Sequence, residues 1–208
     1  MDKNKIFSFL AIFMIPILYG GYYTAVKFGL FDIPVFWLNS LRLLLASILY
    51  LPFLKHLKNL TKEDYKKNLI IAGVFFGGLV AQSFSLKYLT AGGTGFLAAL
   101  FLIFTPLFRW LILRKRLSKW FVIPIILSLI GYTIMFEWYD NQGPLLGLGE
   151  WLGIFGAVAI ALQIVFTEEY VPDSDPFAYS YLQIIYSLLL SLIFALNLES
   201  FPPIERIG

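Results

Sequence analysis

One stretch of the chain, residues 73–120, limits the possible folds more than any other. It reads GVFFGGLVAQSFSLKYLTAGGTGFLAALFLIFTPLFRWLILRKRLSKW, two apolar segments joined at Gly92 and Gly93 and followed by a basic cluster. A soluble domain carries about 25% charged residues, whereas this chain has 14%, together with 59% hydrophobic residues. Because the apolar runs are long and unbroken rather than short and alternating, the sequence predicts an all-α integral membrane protein.

About seven transmembrane helices are predicted from the apolar runs and the polar connections between them. The first run, residues 6–26, contains no charge and is longer than the core of a signal peptide, so we interpret it as a retained transmembrane helix. A polar tail, residues 199–208, is too short to span the bilayer again. The predicted spans cover residues 6–26, 33–54, 69–87, 94–113, 121–136, 151–167 and 176–198.

The distribution of lysine and arginine predicts a cytoplasmic N-terminus. With that orientation eleven of the 16 basic residues lie in cytoplasmic segments, and only Lys27, Lys87 and Arg206 lie outside. Basic residues near the ends of spans concentrate on the cytoplasmic side of a membrane. The connection between the last two spans is acidic, but acidic residues have little weight in this rule. We therefore expect a multi-pass protein of the cell membrane.

The composition argues against several functions. There is no cysteine, and the single histidine, His56, lies near Lys55 and Lys58 in a predicted loop, so we expect neither a metal site nor another cofactor. The net charge of +3 reflects loop charges that set the topology, so no nucleic-acid partner is predicted. A membrane-embedded enzyme needs clustered acids, histidines or a serine–base pair at one depth. The predicted spans contain no such cluster, and we predict that the protein is not an enzyme.

Polar side chains in the first two spans are candidates for a substrate path. Tyr19, Tyr22 and Tyr23 share one helical face, which fits either an aromatic belt at the membrane interface or a polar wall of the path. Arg42 lies near the middle of the second span, with Asn39 one turn before it. A charge at this depth costs about 2.5–3.5 kcal/mol on insertion scales. Arg42 is therefore either a functional residue or a brace for neighbouring carbonyl groups.

Other residues predict how the helices pack. Gly73, Gly77 and Ala81 form a ridge of small residues on the third span, which would let another helix approach closely. Gln82 lies on the flank of this ridge, where it would serve as an interhelical hydrogen-bond donor or a ligand contact. The short glycine turn that follows makes the third and fourth spans antiparallel neighbours. Arg109, near the end of the fourth span, is expected to snorkel to the lipid headgroups.

The order of the spans indicates an internal repeat. The sixth and seventh spans and their polar connection repeat the spacing of the first and second, and aligning Pro34 with Pro176 also brings Phe13 onto Phe155. If the sixth span begins a second copy of a five-span unit, the copies have opposite orientations, because the unit has an odd number of spans. Inverted repeats of this kind are typical of transporters that bind substrate near the membrane midplane.

Several motifs resemble the drug/metabolite transporter superfamily, and in particular its EamA type. They are YGGYYTAVKFGL and SLRLLLA in the first two spans, SLKYLTAGGTGFLAAL and FTPLFRWLILRKRLS in the third and fourth, IGYTIMF in the fifth, and GEWLGIFGAVAIALQIVFTEEY in the sixth. The resemblance implies ten helices, arranged as two inverted five-helix halves around a central cavity. This chain would then hold a first repeat at residues 6–136 and a partial second repeat at residues 149–198.

The chain departs from the pattern of that family in three respects. Tyr19 stands where the family usually has tryptophan, and Lys115 stands in a turn where the family often has an acid. The chain also stops after the seventh predicted span. We therefore expect the remaining three helices to come from a second chain or from a segment that is missing from a truncated sequence.

These features predict a transporter that moves a small organic metabolite, such as an amino acid, nucleobase or drug-like solute, across the cell membrane by alternating access. No acid lies within a predicted span, so a buried carboxyl proton relay is not supported. Arg42 would attract a carboxylate or phosphate of the substrate. The alternatives are a membrane scaffold without transport activity, an inactive fragment and a membrane-embedded enzyme. The residues expected to line the substrate cavity are Tyr19, Tyr22, Asn39, Arg42, Gln82, Thr94, Phe101, Gln163 and Gln183.

Overall fold

The computed structural model describes residues 3–115, 147–171 and 175–201, and scattered positions between 123 and 134. These residues are mostly helical, and no strand occurs among them. We name the α-helices α1 to α7 in chain order, and the 3-10 helix between α2 and α3 is η1. Their bounds are α1 Lys3–Gly29, α2 Val35–Leu49, η1 Leu51–Asn59, α3 Lys62–Tyr88, α4 Ala91–Ala99, α5 Phe101–Leu113, α6 Leu148–Tyr170 and α7 Pro176–Leu198.

Four helical stretches in the described part are long and apolar enough to cross a membrane. They are α3, α4 and α5 taken together, α6, and α7. The pair of α2 and η1 adds a fifth if it is counted as one span, although its two helices are bent by 73°. The predicted all-α integral membrane fold is thus confirmed. The fifth predicted span, residues 121–136, lies largely outside the described residues, so the number of seven spans stays a prediction.

Helix α3 lies at the centre of the described bundle and packs most extensively against α6. The two helices are antiparallel, because Gly149 at the start of α6 lies beside Tyr88 at the end of α3, whereas Gly156 lies beside Gly78. Helix α7 packs against α2 and α3, α4 packs against α1 and α6, and α5 packs against α6. Helix α3 therefore contacts helices of both the predicted first repeat and the predicted partial second repeat.

Close packing of α3 on α6 depends on glycines other than those predicted from the sequence. A Cβ atom added at Gly78 would lie 3.3 Å from the backbone oxygen of Gly156, and one added at Gly156 would lie 2.7 Å from Cγ of Gln82. At Gly73 and Gly77, an added Cβ would meet no other part of the described structure within 4 Å. Among the described residues, no helix packs on the predicted ridge at Gly73 and Gly77, because α6 packs on the neighbouring face of α3 that carries Gly78.

Capping residues explain where α3 and α4 begin. The backbone N–H of Asp64 donates to Thr61 Oγ1 (3.3 Å), and the Thr61 N–H donates to the Asp64 carboxylate (2.8 Å). This capping box starts α3 at Lys62, well before the predicted start at residue 69. Thr90 caps α4 in a similar way, since its Oγ1 accepts from the Gly93 N–H (3.1 Å). A short turn joins α3 to α4 as predicted, but it consists of Leu89 and Thr90, and both glycines of the predicted turn lie within α4.

Polar contacts join the first-half helices to α6 and α7 at one end of the bundle. Arg109 Nε lies 2.7 Å from Glu168 Oε2, and Lys115 Nζ lies 2.5 Å from Oε1 of the same carboxylate. Arg109 therefore pairs with an acid on α6, a partner that the sequence does not indicate, and its predicted position at the headgroups stays a prediction. At this same end His56 of η1 pairs with Asp175, the N-cap of α7.

At the opposite end of the bundle, two charged side chains cap helix termini. Lys27 Nζ donates to the carbonyl oxygens of Leu86 and Leu89 (3.0 Å for Leu89), at the end of α3. The carboxylate of Glu199 accepts from the N–H groups of Phe36 and Trp37 (2.9 and 3.1 Å), at the start of α2. Helix geometry leaves these terminal groups without partners inside the helix, so both charges satisfy backbone groups that would otherwise be unpaired.

Candidate functional site

A cavity of about 470 Å³ lies between α1, α2 and α3, and Ile160 of α6 contributes to its wall. Its volume lies within the range of about 300–1,000 Å³ that small-molecule sites occupy. Most of the lining is apolar, and the polar lining side chains are Tyr19, Tyr22, Arg42 and Gln82. We call this space the arginine cavity. A few convergent polar groups in an apolar lining are typical of a small-molecule binding site.

Arg42 is half-buried and presents an incompletely paired guanidinium group to the arginine cavity. Its Nη1 donates to the Tyr22 hydroxyl (2.7 Å), and its Cζ lies 5.2 Å from the centre of the Tyr22 ring. Its Nη2 is buried and has no hydrogen-bond partner in the described structure. No acid among the described residues forms an ion pair with Arg42. The guanidinium therefore retains a free donor and an uncompensated positive charge.

Three tyrosines of α1 position Arg42 and Gln82 around the cavity. The ring centres of Tyr22 and Tyr23 are 5.0 Å apart in an edge-to-face arrangement, and Tyr19 lies 6.1 and 6.0 Å from them. Such aromatic pairs stabilise a fixed arrangement of the rings. The Tyr23 hydroxyl donates to Oε1 of Gln82 (3.0 Å). Because this bond uses the carbonyl of the amide, the Gln82 amino group keeps its donor capacity.

A second cavity of about 610 Å³ lies on the other side of Tyr19, between α1 and the α4–α5 pair. Phe101, another residue predicted to line the substrate path, belongs to this cavity. The remaining lining residues are small or apolar apart from Tyr23 and Thr24. The nine predicted residues therefore do not surround one space: Tyr19 borders both cavities, and Phe101 borders only the second.

Asn39 and Thr94 are fully buried at helix contacts, and neither belongs to the lining of these two cavities. The Ser83 hydroxyl donates to Oδ1 of Asn39 (3.0 Å), which joins α2 to α3. The Thr94 hydroxyl lies 3.4 Å from that of Ser85, whose hydroxyl also bonds a backbone carbonyl at the start of α6. In this conformation both predicted residues connect helices.

Gln163 and Gln183 form a contact between α6 and α7. Nε2 of Gln163 lies 3.5 Å from Oε1 of Gln183 and 3.3 Å from the Thr167 hydroxyl. Nε2 of Gln183 is buried without a hydrogen-bond partner in the described structure. Both side chains are partly buried, and Ile160, one turn before Gln163, lines the arginine cavity. Gln163 thus lies on the same helix as one wall of the cavity, about one turn away, and neither glutamine belongs to the cavity lining.

The sequence interpretation missed the apolar walls of the arginine cavity, among them Phe75, Leu79 and Ile160. Apolar residues in a membrane span carry no signal that separates a cavity lining from a lipid-facing or packing position. The sequence also gives no indication of the hydrogen bond between Tyr23 and Gln82, because the spacing places Tyr23 on the tyrosine face of α1 but does not show which residue of another helix it contacts. The i and i+4 spacing of Tyr19 and Tyr23 was the one available signal for that face.

The sequence profile of the EamA-like transporter family matches residues 6–137. The chain belongs to this family. A relative, an uncharacterized transporter of Archaeoglobus fulgidus, is 24% identical over 192 residues, which cover 92% of this chain and 59% of the relative. The chain thus spans less than two thirds of the length of that curated relative. No solved structure matches the chain.

The family match and the apolar helices together show a multi-pass membrane protein of the EamA-like transporter family. In this EamA-like chain the arginine cavity offers a positive charge, a free guanidinium donor and an amide group within a mostly apolar lining. Such a site can hold an apolar body against the walls while hydrogen bonds fix one polar group. The part of the chain that the structure describes contains no group of histidine and acidic side chains that could hold a metal ion.

Proposed function

We propose that this EamA-like protein carries a small organic metabolite across the cell membrane and binds it in the arginine cavity. Amino acids, nucleobases and drug-like solutes fit a cavity of about 470 Å³. The observation that carries the proposal is the free Nη2 of Arg42, a buried donor on a cation that has no acidic partner among the described residues. A carboxylate or phosphate of the substrate would supply that partner.

The energetic reason is the cost of an unpaired charge in a membrane. A cation removed from water loses hydration, and an anion at hydrogen-bond distance compensates for this loss. Hydrogen bonds between a guanidinium and a carboxylate or phosphate are about twice as strong as neutral ones. The hydrogen bond from Arg42 Nη1 to Tyr22 fixes the guanidinium (2.7 Å), so little side-chain entropy remains to be lost when the anion binds.

Alternating access would require the bundle to open at one end while the other end stays closed. Two sets of polar contacts are suited to this role. One end has the Arg109–Glu168 and His56–Asp175 pairs, and the other end has Glu199 bound to the start of α2. Breaking one set at a time would expose the arginine cavity to one side and then to the other. Following the distribution of basic residues, we assign the first of these ends and the N-terminus to the cytoplasm.

The partners proposed for this chain are a small-molecule substrate and the lipid bilayer. The three further helices that the resemblance implies would complete the substrate path, supplied either by a second chain or by another segment. The tight α3–α6 contact at Gly78 and Gly156 is also what a scaffold without transport activity would need. Family membership favours a transporter over an enzyme.

The test is uptake into liposomes that contain the protein in its full-length context. Radiolabelled amino acids, nucleobases and organic acids are compared, and we expect protein-dependent uptake of a solute that bears a carboxylate or phosphate. Arg42→Ala should lower its apparent affinity by about 10- to 100-fold, because a hydrogen bond to a charged group contributes about 1.5–3 kcal/mol. Insertion into the membrane should be retained.

The matched control is Lys87→Ala, which also removes one basic residue. Lys87 is exposed, lies over the Phe84 ring (5.3 Å), and does not line the arginine cavity. Uptake by this variant should equal that of the unmodified protein. Unchanged transport by Arg42→Ala would refute the role of Arg42. If no solute in the panel is transported by inserted protein, the scaffold function is favoured instead.

A further inference from the structure

The 3-10 helix η1 is turned away from the direction of the spans. Helix α2 has 15 residues, which at 1.5 Å per residue gives a length of about 22 Å. The hydrocarbon core of a bilayer is about 30 Å thick, so an α2 that begins at one surface ends about 8 Å short of the other, which is the depth of about 5–10 Å that interfacial helices reach. The bend of 73° between α2 and η1 then brings η1 nearly parallel to the membrane plane.

One face of η1 is fixed to α7. The ring of Phe53 stacks on that of Phe177, with ring centres 4.6 Å apart and planes 4° from parallel. His56 pairs with the N-cap residue Asp175 of α7. These contacts hold η1 in one orientation against the bundle, so its remaining face has a defined direction.

The other face of η1 combines exposed apolar and basic side chains. Leu51 and Leu54 are 48% and 41% exposed, and Lys55 and Lys58 are also exposed. Helices that lie in the membrane interface show this combination: apolar side chains enter the boundary of the acyl chains, and lysines remain at the headgroups.

The charges around η1 are not neutralised within the described structure. Lys55, Lys58, Lys62 and Lys66 are exposed and form no ion pair with an acid of that structure. The described acids nearby already have partners. Glu63 pairs with Lys67, Asp64 accepts from Thr61 and Tyr179, and Asp175 pairs with His56.

We propose that η1 and the start of α3 form a binding surface for anionic phospholipids. Leu51 and Leu54 enter the interface, and Lys55, Lys58 and Lys62 contact lipid phosphates. Juxtamembrane basic clusters attract anionic headgroups in this way. The surface is separate from the arginine cavity, whose lining contains no residue of η1, so this inference does not depend on the proposed transport function.

The position of η1 is tested by spin labelling, which the absence of cysteine in the chain makes simple. A label at Leu54→Cys is compared, in phosphatidylcholine–phosphatidylglycerol nanodiscs, with labels at Leu45→Cys, within α2, and at Glu63→Cys, where the side chain is 74% exposed and is not part of the proposed lipid surface. Collision rates with oxygen and with a water-soluble nickel complex report depth. We expect the label at position 54 to lie at an intermediate, interfacial depth. A depth equal to that of either reference would overturn the proposal, because η1 would then lie in water or continue the span.

Lipid preference is tested with the full chain in nanodiscs of the same mixture, by native mass spectrometry of the lipids that stay bound. We expect phosphatidylglycerol to be enriched over phosphatidylcholine, and Lys55→Gln/Lys58→Gln to reduce the enrichment by roughly 30-fold, since each lysine near the surface contributes about 1 kcal/mol. The control Lys87→Gln removes a lysine at the opposite end of the bundle and should leave the enrichment unchanged. No enrichment in the unmodified protein, or an equal loss in the control, would overturn the proposal. The label measurement stands even if the double variant fails to fold.

Discussion

Replacing Gly156 with alanine should destabilise the bundle, because α3 and α6 meet at this glycine. The new Cβ would lie 2.7 Å from Cγ of Gln82 and 3.3 Å from the backbone oxygen of Gly78. The first contact is closer than real Cβ contacts allow. The Gln82 side chain cannot move freely, because its Oε1 accepts the Tyr23 hydroxyl (3.0 Å). Either that bond breaks or the helices separate.

The magnitude follows from a comparison with Gly77→Ala. Both substitutions gain the helix propensity of alanine, about 1 kcal/mol in water, and both lie within helices. Only Gly156→Ala adds the cost of overpacking, typically about 1–3 kcal/mol, since an added Cβ at Gly77 would meet nothing within 4 Å. The free energy of unfolding of Gly156→Ala should therefore lie about 1–3 kcal/mol below that of Gly77→Ala.

The assay is thermal unfolding of both purified variants in the same nanodiscs. For a chain of this size, 1 kcal/mol shifts the Tm by about 2–4 °C, so a difference of about 2–12 °C is expected. Equal Tm values would refute the close α3–α6 contact as the structure shows it. A lower Tm for Gly77→Ala would favour the ridge predicted from the sequence, because that helix face would then be the packed one.

Two further outcomes follow from the contacts at one end of the bundle. Glu168→Gln removes the ion pairs with Arg109 and Lys115. Because these side chains are 31–52% exposed, the loss in the free energy of unfolding should be at most about 1 kcal/mol. The loss should become smaller at high salt, which a series of Tm measurements at increasing ionic strength would show. For Asp175, partial desolvation raises the pKa, but hydrogen bonds with His56 and the backbone outweigh it, so the pKa of the folded protein lies below the usual value. Its stabilisation should be present above about pH 4 and be lost as the pH falls below that value. When Tm is measured as a function of pH, Asp175→Asn should therefore remove part of the fall in Tm below pH 4. A Tm–pH profile equal to that of the unmodified protein would contradict a stabilising role of the Asp175 carboxylate.

The class of the fold could be predicted because hydrophobicity alone determines it. Helix α7 occupies the predicted residues 176–198, since Asp175 and Pro176 form a local start signal that needs no knowledge of other helices. The early start of α3 was also encoded locally, in the capping pair Thr61 and Asp64, but a hydrophobicity criterion overlooks a polar first turn.

The contacts between distant segments could not be predicted from the sequence. Whether Gly77 or Gly78 meets α6 depends on a rotation of about 100° around α3, and both residues are glycine. Arg109 has Glu168 as its partner only because α5 and α6 lie side by side. A single sequence contains no record of such proximity, so the ion pair could not be predicted.

The candidate site was partly foreseeable. Tyr19, Tyr22, Arg42 and Gln82 stand out as polar residues within apolar spans, and the structure brings all four to one cavity. Their role in binding stays a prediction. Asn39 stood out for the same reason but lies in a helix contact, because an amide in a membrane span serves packing and binding equally well.

The central claim, that the arginine cavity is a water-accessible site that attracts anions, can be tested without knowing the substrate. Ala46 lines this cavity, and Ala46→Cys places one thiol there in a chain that has no cysteine. In proteoliposomes, the labelling rate of this thiol is measured with an anionic and with a cationic methanethiosulfonate reagent, and each rate is divided by the rate of the same reagent with a free thiol. We predict that the ratio of the anionic to the cationic normalised rate is above one. Adding Arg42→Gln should lower that ratio about fivefold, as expected for one charge at close range in a wet site. An unreactive thiol, or a ratio that Arg42→Gln leaves unchanged, would contradict the account.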